Sequence, residues 1–104
     1  MKQLYLFLFI LNTSFVSAQT GSIKGVIADE KDKLEFVSVG LTGTIFSTTS
    51  DKNGYFIIQN IPYGTYELQI AIVGYQKIKQ KIQISSPEAV IINQLLIPTD
   101  NRLN

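Results

Sequence analysis

The side chains here that could do chemistry are carboxylates, hydroxyls, amines and phenols, because the 104 residues include no histidine and no cysteine. Without imidazole there is no catalytic triad or dyad of the usual kind, and without thiols there is neither a cysteine nucleophile nor a thiolate metal site. The composition therefore predicts no catalytic residue, no cofactor-binding residue and no metal ligand. The expected protein is not an enzyme.

One group of carboxylates lies close together in the sequence: Asp29, Glu30 and Asp32, interleaved with Lys31 and Lys33. Paired carboxylates act as general acid and base where burial or a neighbouring charge separates their pKa values. A short run of alternating charges is instead typical of solvated surface. We interpret residues 29–33 as an exposed loop between two strands.

A second polar cluster, Asp51 to Gly54, has the beginning of a calcium-binding loop. Such a loop needs glycine at its sixth position and a bidentate glutamate at its twelfth. Here glycine stands fourth and Pro62 stands twelfth, so no calcium site is predicted. Asn-Gly between apolar runs instead indicates a tight turn.

Tyrosines are the remaining candidates, because an aromatic face on a β-sheet protein can stack against a sugar ring. Tyr66 alternates with Leu68 and is expected to lie in the core. Tyr63 and Tyr75 lie in predicted turns. They are the candidate stacking residues of an alternative function, a free-standing carbohydrate-binding-like module.

The elements that would position these side chains are short strands separated by turns. Between residues 40 and 83, three glycine-containing clusters alternate with apolar runs, and glycine supplies the positive φ that a tight turn requires. The structural turn residues predicted from these clusters are Asp51, Asn53, Gly54, Pro62, Gly64 and Gly74.

Apolar and polar residues alternate between the turns with the period of a β-strand. Strand signals cover residues 22–28, 36–41, 45–49, 55–59, 65–72, 77–84 and 89–97. The third and fourth are predicted to form a hairpin across the turn at Asp51–Gly54. The fold class that follows is all-β, a small antiparallel seven-stranded β-sandwich.

Lys77, Lys79 and Lys81 alternate with other residues along the sixth strand signal. One interpretation is a basic stripe that binds an anionic partner. The interpretation that we favour is an edge strand whose lysines face water and discourage pairing with another sheet edge.

The N-terminus is typical of a cleavable signal peptide, with a basic Lys2, an apolar run from Leu4 to Leu11, and small residues before Gln19. The run is shorter than the roughly 20 residues of a membrane-spanning helix. The predicted organisation is a signal peptide over residues 1–18, a β-sandwich domain over residues 19–98 and a C-terminal tail over residues 99–104, with no transmembrane helix in the mature chain.

Charge limits the class of partner. The leader holds one of the nine basic residues, so in the mature chain eight basic residues face eight acidic ones and the net charge is zero. Proteins that bind nucleic acid through phosphate contacts normally carry a basic excess. Nucleic acid is therefore not an expected partner.

Three motifs follow one another along the chain: Asp51-Lys52-Asn53-Gly54-Tyr55-Phe56, then Ile61-Pro62-Tyr63-Gly64-Thr65-Tyr66, then Gly74-Tyr75. In this order they resemble the carboxypeptidase regulatory-like domain family, over about residues 21–97. The chain departs from that pattern at Glu35-Phe36, where relatives commonly carry Pro-Gly.

The resemblance implies a transthyretin-like (prealbumin-like) β-sandwich with no peptidase machinery. This family also occurs at the N-terminus of many TonB-dependent outer-membrane receptors of Gram-negative bacteria. The expected function is a non-catalytic, exported accessory or interaction domain, associated with such a receptor or a fragment of one. The expected partner is a protein of the outer membrane or periplasm, and the expected location is the same. A transthyretin-like hydrolase is disfavoured, because related enzymes depend on histidine.

Overall fold

The computed structural model of the protein describes residues 19–99. The predicted signal peptide, residues 1–18, lies outside the described residues, and so does the predicted tail apart from Thr99.

Eight strands and no helix are found within residues 19–99. They are β1 (Thr20–Ala28), β2 (Ser38–Leu41), β3 (Ser47–Thr49), β4 (Tyr55–Pro62), β5 (Gly64–Ala71), β6 (Ile78–Ile84), β7 (Val90–Ile91) and β8 (Gln94–Leu95). One sheet has the order β4-β1-β7, with β8 also paired to β1, and the other has the order β3-β2-β5-β6. The predicted all-β sandwich is confirmed.

Apolar side chains from both sheets meet in one core, and the alternation along each strand decides which ones. In β1, Ile23 and Ile27 are fully buried while their neighbours are half-exposed. The pattern repeats in β2, where Val39 and Leu41 face inward. Two facing layers that each bury one side of their strands are the arrangement of a β-sandwich.

The last predicted strand differs from expectation. Residues 89–97 form two short segments, β7 and β8, and both run parallel to β1 although an antiparallel strand was predicted. The chain enters β7 from the end of the sandwich where β1 begins, so it can only run alongside β1 in the same direction. Parallel pairing needs a crossover connection, which the intervening strands provide.

Between β7 and β8 the backbone approaches β1 very closely. A Cβ atom added to Gly25 would overlap the backbone carbonyl oxygen of Ile92. The side-chain Oδ1 of Asn93 accepts the hydrogen bond from the Val26 N–H at 3.0 Å, next to the point where the two segments are interrupted. Glycine at position 25 is therefore required by the close approach of two backbones.

The predicted hairpin between the third and fourth strands is wrong. β3 pairs with β2, while β4 pairs with β1 in the opposite sheet. The Asp51–Gly54 turn therefore carries the chain from one sheet to the other. Its form is the expected one, since Gly54 has φ of 75° and the Asp51 carboxylate accepts hydrogen bonds from the N–H groups of Asn53 and Tyr55. A tight turn fixes a reversal of direction, and whether the two strands then pair depends on their other neighbours.

β4 contains a bulge that keeps two isoleucines in the core. The register with β1 shifts so that Gly21 pairs with Ile61 and Ile23 pairs with Ile58. Residues three apart in a regular strand would face opposite sides. The left-handed conformation of Asn60, with φ of 61°, absorbs the additional residue, and both isoleucines are buried.

β6 is an edge strand of its sheet, as predicted, and Lys77, Lys79 and Lys81 are exposed. The pairing register places Lys81 beside Glu67 and Lys79 beside Gln69 on the outer face. Lysines along an open edge hinder the addition of another strand.

Ser50, the residue after β3, holds the segment that precedes β2 against the core through hydrogen bonds. It is the buried polar residue among residues 19–99. Its Oγ accepts from the Val37 N–H at 2.9 Å and donates to the Leu34 carbonyl at 2.7 Å. Its backbone N–H donates to the Val37 carbonyl, and its carbonyl accepts from the Phe36 N–H. We call these four hydrogen bonds the Ser50 clamp.

We expect Gly25→Ala to lower the free energy of unfolding by about 3 kcal/mol, because the new methyl group displaces the backbone at Ile92. Urea unfolding followed by circular dichroism measures the change. Gly64→Ala is the control, because its Cβ would meet the Tyr66 ring at an ordinary 3.5 Å and its cost should stay within about 1 kcal/mol. Equal effects for the two substitutions would contradict the proposed role of Gly25.

We expect Ser50→Ala to cost about 3 kcal/mol in unfolding free energy, because it leaves the buried Val37 N–H without its acceptor and removes the bond to Leu34. Ser47→Ala, at an exposed position of β3, is the matched control and should change stability by no more than about 0.5 kcal/mol. The same urea titrations measure both. A Ser50→Ala protein as stable as the control would show that the clamp contributes little.

Candidate functional site

Four connecting segments gather at one end of the sandwich. β1, β3, β5 and β8 end there, and β2, β4 and β6 begin there, because the terminal residues of these strands pair with one another. We call residues 29–37, 50–54, 72–77 and 97–99 the loop end. Binding residues are often found on loops that a rigid sheet positions.

Hydrogen bonds join the segments of the loop end to each other. The Tyr75 hydroxyl donates to Asp29 Oδ2 at 2.6 Å, which links the loop after β5 to the loop after β1. The Gln76 N–H donates to the Ile97 carbonyl, and the Thr99 N–H donates to the Gly74 carbonyl. These hydrogen bonds therefore join the segments that follow β1, β5 and β8 to one another.

The carboxylate of Asp29 is stabilised in its charged form. The hydrogen bond from Tyr75 is the main cause that lowers the pKa of Asp29, and the N–H groups of Asp32 and Lys31, both donating to Oδ1, lower it further. The same bond raises the pKa of Tyr75, because it stabilises the protonated phenol beside a negative charge. An acid with a lowered pKa is a poor proton acceptor at neutral pH, so this pair holds loops together and has no features of a general base.

Three large apolar side chains of the loop end are exposed to solvent, and one of them is Ile97, at 55%. Phe36 is 71% exposed and Val73 is 97% exposed. They lie two residues beyond the paired Ser38 and Ala71, at the same end of neighbouring strands β2 and β5. Single apolar residues on a surface need no explanation, whereas several at one end of a sandwich make that end a candidate contact surface.

The backbone conformation of Phe36 is unusual for its residue type. Its φ is 65°, in the left-handed region that glycine adopts readily and a bulky aromatic residue adopts at a cost of roughly 1–2 kcal/mol. The Ser50 clamp holds this conformation through the flanking Leu34 and Val37. Strained conformations that the surrounding structure enforces occur preferentially at functional sites.

The two tyrosines proposed for sugar stacking are not brought together. Tyr75 belongs to the loop end, whereas Tyr63 lies between β4 and β5 at the opposite end, so the eight residues of β5 separate them, roughly 25 Å at the rise of a strand. Both rings are half-buried against the core. They do not form a shared stacking platform. Tyr66 is also half-buried, and its hydroxyl donates to the Pro62 carbonyl at 2.6 Å.

The predicted turn residues have different local conformations. Gly54 and Gly74 have positive φ, of 75° and 94°, as the turn prediction required. Gly64 does not, because it starts strand β5, and the prediction of a positive φ there is wrong. Near Pro62 the left-handed residue is Asn60 instead. The sequence signal for it is the spacing of Ile58 and Ile61, which an uninterrupted strand could not bury together.

Phe36 is the functional candidate that sequence reasoning missed. The alternation of residues 36–41 predicts that it belongs to a strand, yet it lies in a bend before β2. The departure from Pro-Gly at Glu35-Phe36 was the available signal, because Pro-Gly is the usual pair where the second residue needs positive φ.

Residues 19–99 offer neither a cluster of metal ligands nor a membrane-spanning helix. No group of three or more potential ligands in that range could hold a metal ion. The same range contains no helix with the length and hydropathy needed to cross a bilayer.

Solved structures with the same fold come from several bacterial proteins. A chain of a type II Cohesin-X-Dockerin complex from Acetivibrio cellulolyticus superposes with a TM-score of 0.66 at 21% identity, covering 75% of this chain and 58% of that chain. The TIE protein of Bacillus anthracis gives 0.61 at 20% identity, covering 75% of this chain and 16% of that one. The minor pilin of Streptococcus agalactiae gives 0.57 at 19% identity, covering 86% and 50%.

These likenesses establish the β-sandwich fold and nothing more specific, and the chain spans less than two thirds of each of these chains. A comparison with curated protein sequences gave no match. The family model of the CarboxypepD_reg-like domain matches residues 23–104, which include every strand except the start of β1. The chain therefore belongs to the carboxypeptidase regulatory-like domain family.

Proposed function

We infer that this protein is an exported, non-catalytic interaction domain that binds a protein partner through the loop end, in association with a TonB-dependent outer-membrane receptor. Phe36 is the observation on which this proposal depends. An exposed aromatic side chain, held in a strained conformation by a buried clamp, is a preorganised contact. Aromatic anchors of this kind contribute much of the binding free energy at protein interfaces.

The family and the structural neighbours support the interaction class. The family is named for regulation and not for catalysis. One neighbour comes from a complex of protein modules and another is a pilin, so sandwiches of this shape are used in assemblies. The tied loops at residues 29–37, 72–77 and 97–99 also favour binding, because a rigid surface loses little conformational entropy on association.

The cellular setting rests on the sequence. The N-terminal features of a signal peptide support export. The receptor association is supported by the occurrence of this family at the N-terminus of such receptors. A protein partner of the outer membrane or periplasm fits both. The proposal that the loop end binds a protein is separate from the proposal that this protein is a receptor. The experiment must therefore test the binding site and the identity of the partner independently.

Site-specific photo-crosslinking makes that distinction. We expect benzoylphenylalanine at position 36, in the full chain expressed in its native organism, to give a crosslink to one envelope protein, which mass spectrometry then identifies. The same group at position 45 is the control, since Ile45 is 90% exposed but lies in the hairpin between β2 and β3, away from the loop end. A crosslink to a receptor supports the whole proposal, and one to another protein supports the site alone. No crosslink at position 36, or equal ones at both positions, would contradict it.

Substitution of Phe36 by glycine separates binding from stability. We expect Phe36→Gly to keep the unfolding free energy within about 1 kcal/mol of the parent, because relief of strain offsets the greater freedom of the unfolded chain. We also expect it to weaken binding to the crosslinked partner at least about tenfold, measured by calorimetry. Ile45→Gly should leave affinity unchanged. Unchanged affinity for Phe36→Gly would remove the aromatic contact from the proposal.

Acidic pH should loosen the loop end. Because the pKa of Asp29 is lowered in the folded protein, its contribution is complete above the pKa of the unfolded chain and is lost as the pH falls through the folded-state pKa, on the acid side of about pH 4. Amide hydrogen exchange at residues 74–76 should therefore increase in that range beyond its intrinsic pH dependence. In Tyr75→Phe the Asp29 pKa should rise, and this step should disappear. An identical pH profile in both proteins would show that the bond is unimportant.

A further inference from the structure

The two outer faces of the sandwich differ in chemistry. The outer face of the β3-β2-β5-β6 sheet carries polar side chains, among them Glu67, Gln69 and Lys79. The outer face of the other sheet mixes polar and apolar side chains, and Ile91 and Leu95 are 55% and 53% exposed. Exposed apolar surface on a sheet face is a feature of interaction sites.

A groove of about 390 Å³ lies on this second face, beside β1 and β8. It is lined by Val26, Ala28, Lys33, Asn93, Gln94 and Leu95. The floor of the groove is aliphatic, because the pairing of β1 with β8 places Ala28 beside Leu95. The rim is polar, with two carboxamides and one ammonium group.

The charge of the groove has one sign. Lys33 is the charged residue in its lining, and no carboxylate lines it. Lys24 lies on the same face, paired with Ile57 on one side and Ile91 on the other. A second copy of this chain would bring the same lysines together, so charge disfavours self-association and favours a partner that carries carboxylates.

The edge of the sheet beside the groove presents backbone groups. The Leu96 N–H donates to the Ala28 carbonyl. Because successive N–H groups alternate along a strand, the Leu95 N–H points away from β1, toward the open edge. The backbone carbonyl of Leu95 accepts from the Gln94 side chain at 3.0 Å. An extended peptide has the donors and acceptors to pair with such groups, whereas a lipid chain does not.

We propose that this groove binds an extended, acidic peptide segment of another protein, with apolar side chains on Val26, Ala28 and Leu95 and a carboxylate at Lys33. The groove borders the loop end, to which Lys33 belongs, but its lining does not include Phe36. Alternating apolar and acidic residues fit it, because alternate side chains of an extended peptide point to one side. The apolar set then covers the floor, while the acidic side chains face the rim, where one carboxylate reaches the Lys33 ammonium group.

The probe is the peptide acetyl-Val-Asp-Val-Asp-Val-amide, titrated into isotope-labelled protein and followed by amide chemical shifts. We expect shifts concentrated at Val26, Ala28, Gln94 and Leu95, with the lysine peptide acetyl-Val-Lys-Val-Lys-Val-amide giving none. Lys33→Glu should weaken binding about tenfold, because an attraction becomes a repulsion. Lys79→Glu, on the opposite sheet, is the matched control and should leave the affinity unchanged.

Several outcomes would overturn the proposal. The acidic peptide could produce no shifts at millimolar concentration, or both peptides could bind equally. Lys33→Glu could bind as well as the control variant, which would exclude the carboxylate contact. Dodecanoate is tested in parallel, and shifts at the groove with this fatty acid but not with the peptide would identify a lipid site instead. Leu95→Asp should abolish peptide binding whether or not Lys33 is intact, and its failure to do so would place the peptide elsewhere.

Discussion

The approach of the Ile92 backbone to Gly25 is the constraint on which the rest of the structure depends. β1 is the central strand of its sheet, with β4 on one side and β7 and β8 on the other. The last segments reach their place only because position 25 has no side chain. Their placement then directs residues 97–99 to the loop after β5, where backbone hydrogen bonds hold them. A close contact at the middle of one strand thus determines how one end of the molecule is assembled.

The loop end combines rigidity with local strain, and the two are physically related. A bulky residue keeps a left-handed backbone conformation only where its surroundings exclude the alternatives. Ser50 does this for Phe36 by bonding the residues on both sides of it, and Asp29 and Tyr75 fix the neighbouring loops. The exposed apolar groups are therefore presented in a defined arrangement. The groove on the sheet face differs, because its aliphatic floor is formed by regular strands, and only its basic residue, Lys33, comes from the loop after β1.

Much of the fold and less of the site could be predicted from the sequence. The alternation in β1, β2 and β5 identifies the residues that face the core, because the strand period depends only on local geometry. The same alternation cannot tell whether β3 pairs with β4 or with β2, since either sheet would bury the same side chains. Phe36 was missed for a related reason. Its strain results from bonds to Ser50, fourteen positions along the chain.

The sequence by itself determined the fold class, the turns at Gly54 and Gly74, and the absence of imidazole and thiol chemistry, because composition and local conformation decide these features. The tertiary structure alone decided that the chain crosses between sheets at Asp51–Gly54, that the final strands run parallel to β1, and that Tyr63 and Tyr75 lie at opposite ends. It also decided which apolar residues remain exposed. Each of these depends on contacts between residues distant in the chain, and no local pattern encodes such contacts.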